Sequence, residues 1–152
     1  MKQNGWVAAA LSVAALVAPV KAQAAPGDDA EKVRRLDIML MVSALRCRNT
    51  ADGFQDDYNR FSSEHLNELN ASAGTLKRSL EARYGAAGAK RELDRMSVSM
   101  ANAYGQGHPW LGCHELKEAT QGLAGNHAPG ALLSAAEELL GDSGRSSLVA
   151  GY

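Results

Sequence analysis

The sequence predicts an all-α fold, a bundle of four to five helices with one disulfide, and three observations carry that expectation. Apolar residues recur at three- and four-residue spacing through most of the chain. β-branched residues are scattered and nowhere alternate with polar ones over a useful length, so no strand is expected. Cys47 and Cys113 are the whole cysteine inventory, and they follow an N-terminal segment built like an export signal.

In that segment Lys2 supplies the positive start, Trp6 to Ala18 is apolar apart from Ser12, and Ala22-Gln23-Ala24 offers small residues to a signal peptidase. As a helix about 13 residues long it spans ~20 Å, short of the ~30 Å hydrocarbon core, which favours a cleaved leader over a retained anchor. The expected organisation is a signal peptide over 1–24, a helical domain over 25–140 and a Gly- and Ser-rich flexible tail over 141–152. The expected location is periplasmic or secreted, with no stable membrane insertion after cleavage. In an oxidising compartment the two cysteines are expected to pair. A loop of that size constrains the unfolded chain by about 4 kcal/mol in the entropic model. The alternative is two free thiols acting as ligands or nucleophiles.

Residues 25–27 read as a disordered lead-in, with Asp28 as the N-cap of helix one and Glu31 three residues later. Leu36 to Arg48 is the most apolar run after the leader, and it ends at Cys47. Val33, Leu36, Leu40, Ala44 and Cys47 form one stripe. Ile38, Met41, Val42 and Leu45 cover much of the remaining circumference, so this helix should be packed on most sides, with Met39 and Met41 as core filler.

Asp52 and Gln55 are expected to cap a second helix with the stripe Phe54, Tyr58, Phe61, His65, Leu69, Ala73, Leu76, Leu80 and Tyr84. Any bend should fall at Asn70 to Gly74, where weak helix formers cluster. Gly85 is the expected C′ residue and Ala86 to Ala89 the turn that follows. A third helix carries Leu93, Met96 and Met100. The fourth is expected to open at His108-Pro109-Trp110 and to present Cys113, Leu116, Thr120 and Leu123. Pro129 is expected to open a fifth, with Leu132, Leu133, Ala136, Leu139 and Leu140. The bridge would then join the end of helix one to the start of helix four.

Formal net charge is −1. The leader holds Lys2 and Lys21 and no acid, so the processed chain is more acidic still. Such a chain has no electrostatic reason to seek nucleic acid or anionic lipid. Familiar chemical signatures are missing. There is no Glu-x-x-His pair for a bundle di-iron site, no Cys-x-x-Cys-His for haem, and no zinc-ligand spacing among the histidines. Gly-x-Ser-x-Gly and phosphate-cradling loops are absent as well. No metal and no cofactor is expected.

Three places remain as candidates. Tyr104 to His114 concentrates Tyr104, His108, Trp110 and His114 beside the disulfide; it reads as a recognition patch or as a connection in which Trp110 plugs the bundle end and His108 caps a helix. Arg46 and Arg48 flank Cys47 and serve either an anionic ligand or the C-terminal dipole of helix one. His65 lies between Glu64 and Glu68 on the stripe of helix two, where Tyr58, His65 and Glu68 offer a base or a ligand set if they line a pocket, and a satisfied core histidine if they do not.

Leu36-Asp-Ile-Met-Leu-Met, Ala44-Leu-Arg-Cys-Arg, Phe54 to Phe61, Met100-Ala-Asn-Ala-Tyr-Gly and Gly112-Cys113 together resemble a family of small exported bacterial proteins of unknown function, over roughly residues 33 to 118. Members sometimes carry the label S-adenosyl-L-homocysteine hydrolase. That enzyme needs a Gly-rich strand-turn-helix unit for its dinucleotide, and this chain has none. The resemblance implies no activity and supplies no site residues. The functional expectation is a non-catalytic exported protein that binds a protein partner or small ligand. Its alternatives are a small hydrolase or ligand-processing enzyme around His65 and a structural subunit that forms a homodimer through helix two.

Overall fold

A computed structural model describes residues 25–141, so the expected signal peptide and the tail beyond Gly141 lie outside the described residues. The described residues form five helices and no strand: α1 (Pro26–Cys47), α2 (Gln55–Glu64), α3 (Leu66–Tyr104), α4 (Cys113–Ala124) and α5 (Ala131–Leu140). Cys47 and Cys113 are bridged, with their Cα atoms 5.8 Å apart. The bond joins the last residue of α1 to the first of α4.

The N-cap of α1 falls three residues earlier than expected. Pro26 occupies its first turn, Ala25 is the N-cap, and Asp28 and Asp29 lie inside the helix, where their charges favour its positive end. Gly27 is buried rather than part of a loose lead-in. A Cβ there would collide with the Ser79 side chain, so glycine lets α1 and α3 touch at this point.

α3 is two arms joined at Gly85, whose φ of 68° and ψ of 169° fall in a region open essentially to glycine alone. The first arm, 66–84, runs antiparallel to α1, because Ser79 meets Gly27 while Leu66 shares a cavity wall with Asp37. The second arm, 86–104, runs parallel to α1, because Ala89 packs in one cluster with Ala30 while Arg46 Nη1 donates to the Gly105 carbonyl at 3.4 Å. One residue therefore reverses the chain where a four-residue turn was expected. The helix is continuous through Gly74, and its other break falls at His65, which ends α2 and precedes α3.

Two apolar clusters follow. Leu36, Met39, Leu40, Phe54, Phe61, Leu116 and Leu132 centre the larger, where α1 meets α2, α4 and α5. Ala30, Leu76, Leu80 and Ala89 form the smaller, where α1 meets the two arms. Full burial of each Leu or Phe contributes roughly 1.5–3 kcal/mol.

Several local expectations are corrected. Met41 and Leu45 are 37% and 43% exposed, because the first arm of α3 begins level with Asp37 and does not reach their turn. Phe54, not Asp52, takes the N-cap position of α2. Residues 108–111 are non-helical, and α4 begins at Cys113 behind Gly112, whose N–H donates to Glu115 Oε2 at 3.0 Å. α5 begins at Ala131, after Gly130 in the left-handed region.

The two glycines of α3 should respond oppositely to alanine. Gly85→Ala is expected to lower unfolding free energy by about 1–3 kcal/mol. Gly74→Ala, in regular helix and against the movable end of Arg78, is expected to raise it by about 0.5–1 kcal/mol, both read from urea titrations.

Candidate functional site

Three of the residues singled out in Tyr104 to His114 form one stacked unit. Tyr104, at the end of α3, lies 6.0 Å from the His108 ring with planes 17° apart, and Trp110 meets the same imidazole edge-on at 4.7 Å and 85°. His108 is held from both sides. Its Nε2–H donates to the Leu139 carbonyl at 2.8 Å, while Nδ1 accepts the N–H groups of Leu111 at 3.2 Å and Trp110 at 3.4 Å. These partners assign the neutral Nε2–H tautomer. Burial pushes the imidazole below its ordinary value, partly offset by the Leu139 bond.

The carbonyl of Leu139 belongs to the last turn of α5, which leaves its oxygens without intrahelical donors. His108 thus caps α5 and not α4. Arg46 completes the neighbourhood: it reaches the Gly105 carbonyl, and a Cβ at Gly107 would lie 3.2 Å from its Nε. Gly107 has φ of 113°, so the turn needs glycine for its backbone and for the guanidinium above it. Tyr104 is buried in the core, whereas Trp110 is half-buried and Arg46 exposed. Solvent therefore reaches part of the indole and the guanidinium, together with Gln106 and Pro109 of the turn.

His114 and Arg48 turn elsewhere. His114 Nδ1 lies 3.2 Å from Asp52 Oδ1 and its Nε2 3.5 Å from Glu118. The bond to Asp52, then the charge of Glu118, lifts His114 above the ordinary histidine value. Arg48 lines a separate cleft with Thr50, Gln55, Asp56 and Asp57.

The trio Tyr58, His65 and Glu68 does not assemble as one pocket. His65 is 3% exposed, flanked by Phe61 at 5.4 Å and His127 at 5.1 Å. Its Nε2 lies 2.8 Å from the Leu123 carbonyl in the last turn of α4, and its Nδ1 3.4 Å from Glu68 Oε2. Tyr58 instead donates to Asp37 Oδ1 at 3.1 Å. Burial, reinforced by Asp37, pushes the phenol well above its ordinary value, so it remains a donor. Asp37 is raised by burial, against the opposing bond from Tyr58 and the charge of Arg34.

The Arg34, Asp37 and Tyr58 group is what the sequence reading missed. The available signal was Asp37 itself, an acid inside the most apolar stretch and three residues from Arg34. Among the described residues no group of three or more His, Cys, Asp and Glu side chains is arranged to hold a metal ion. No helix among them is long and apolar enough to cross a membrane.

His108 and His114 should separate in an NMR pH titration, His108 protonating below the ordinary value of about 6.5 and His114 above it. Because His108 is lowered on folding, its contribution to stability is present above about pH 6.5 and lost as pH falls through the folded value. His108→Gln should flatten that part of the melting-temperature profile. No family model, curated protein or solved structure matches the chain.

Proposed function

We propose that this is an exported, non-catalytic helical protein that binds a partner protein through Trp110 and Arg46, with Tyr104 and His108 as their support. The observation that carries the reading is the half-buried Trp110, set edge-on against an imidazole whose two nitrogens are both engaged. Trp and Arg dominate binding energy where they are fixed before the partner arrives, because little side-chain freedom is then lost on association. The bridge supports this by fixing the start of α4 to α1 three residues after Trp110. Export is supported by the leader pattern and by the same bond, and membership of the small exported family rests on the motifs quoted above.

The hydrolase alternative gains little support, since His65 is enclosed and Tyr58 faces Asp37. The structural-subunit alternative draws on Leu66 and Tyr84, exposed by 53% and 54% at the two ends of the first arm of α3. Light scattering that finds a monomer at high concentration removes it.

Affinity capture from periplasmic extract, with the oxidised processed chain as bait, tests the leading reading. Trp110→Ala should weaken the recovered partner's affinity by about thirtyfold, the effect of losing a central aromatic anchor. A partner held equally well by Trp110→Ala and by Arg46→Ala assigns binding to another surface.

A further inference from the structure

We propose that the cavity between α1, α2 and the first arm of α3 is a ligand site for a small α-amino acid zwitterion, its carboxylate on Arg34 and its ammonium on Asp37. The cavity holds about 140 Å³ and is partly open to solvent, a size that suits a small ligand. Arg34 and Asp37 share its wall with Ser62 and Asn70 on the polar side and Leu66 and Leu69 on the apolar side.

The two charges neutralise each other but do not satisfy each other. Arg34 Nη1 lies 3.6 Å from Asp37 Oδ2, an ion pair too long for a hydrogen bond. Arg34 Nε is shut off from solvent and has no hydrogen-bond partner among the described residues. Nε itself is closed to a ligand, so the ligand's carboxylate would meet the Nη end of the guanidinium, on a side chain that is 37% exposed. Tyr58 occupies Asp37 Oδ1, which leaves Oδ2 to accept from a ligand. Burial raises the Asp37 carboxyl in spite of Arg34 and Tyr58, so the site as it stands under-compensates the carboxylate, and an ammonium group supplies the missing charge.

A site of net zero charge favours a ligand of net zero charge, since a lone anion meets Asp37 and a lone cation meets Arg34. The apolar wall then takes a short aliphatic side chain. The site is distinct from the Trp110 surface and does not depend on that reading.

The test is a ¹H–¹⁵N titration of the oxidised protein with L-alanine, following the amides of Leu69 and Asn70, with acetate and methylammonium as single-charge probes. Saturable shifts with L-alanine are expected, with both single-charge probes at least about tenfold weaker. Arg34→Gln and Asp37→Asn should each weaken L-alanine by about tenfold or more, with near-ultraviolet circular dichroism confirming the fold. Ala73→Leu fills the cavity from an exposed position, leaves the Arg34–Asp37 pair intact and should block binding. No response to L-alanine overturns the proposal. So does an equal response to acetate or methylammonium, or unchanged affinity in Ala73→Leu.

Discussion

Everything in the described bundle depends on removing α1 from water. Its apolar residues face several directions, so no single neighbour can cover them, and each of the other four helices packs against it. The two arms of α3 lie along it in opposite directions, α5 is tied to it by the Lys32–Glu137 pair at 2.8 Å, and the start of α4 is bonded to its end. Where a covering helix stops short, at Met41 and Leu45, apolar surface stays in water. The disulfide acts at the end of this arrangement, joining the last residue of α1 to the first of α4 and constraining the unfolded chain.

Two histidines do the same mechanical work at two helix ends. His65 lies against the Leu123 carbonyl at the end of α4, and His108 donates to the Leu139 carbonyl at the end of α5, both at 2.8 Å. The last carbonyls of a helix have no donor within it, and α4 and α5 carry no basic residue in their last turns. At the end of α5 the His108 imidazole supplies that donor; at the end of α4 the His65 imidazole adds to the Asn126 N–H, which reaches the same Leu123 carbonyl at 3.0 Å, and each ring fixes the position of its helix. Histidines engaged in this way have little left for catalysis. In the Tyr104 to His114 segment His108 is the fixed ring against which the half-buried Trp110 packs edge-on.

Polar chemistry concentrates instead around Asp37, inside the most apolar stretch of α1, with Arg34 one turn before it and Tyr58 reaching it from α2. Burying an ion pair is weakly favourable at best when its partners are not fully satisfied. An Arg34 guanidinium with an idle Nε, beside a carboxylate raised by burial, is therefore a local departure from the packing logic of the rest of α1. Departures of that kind mark places where a fold serves something other than its own stability.

The sequence by itself determined the helical class, the pairing of Cys47 with Cys113 and most of the buried stripes, because heptad-scale periodicity is a local property and two cysteines have one way to pair. It also pointed to Gly85 as a break. Only the tertiary structure decided that Gly85 reverses the chain, that helix two ends at His65, and that His108-Pro109-Trp110 stays outside α4. These outcomes turn on what lies across the bundle: the carbonyls of Leu123 and Leu139, the Ser79 side chain opposite Gly27, and the length of α1 available to each arm. Partners some 30 to 60 residues away in sequence leave no periodic trace, so the same reasoning that finds a helix cannot say what meets its ends.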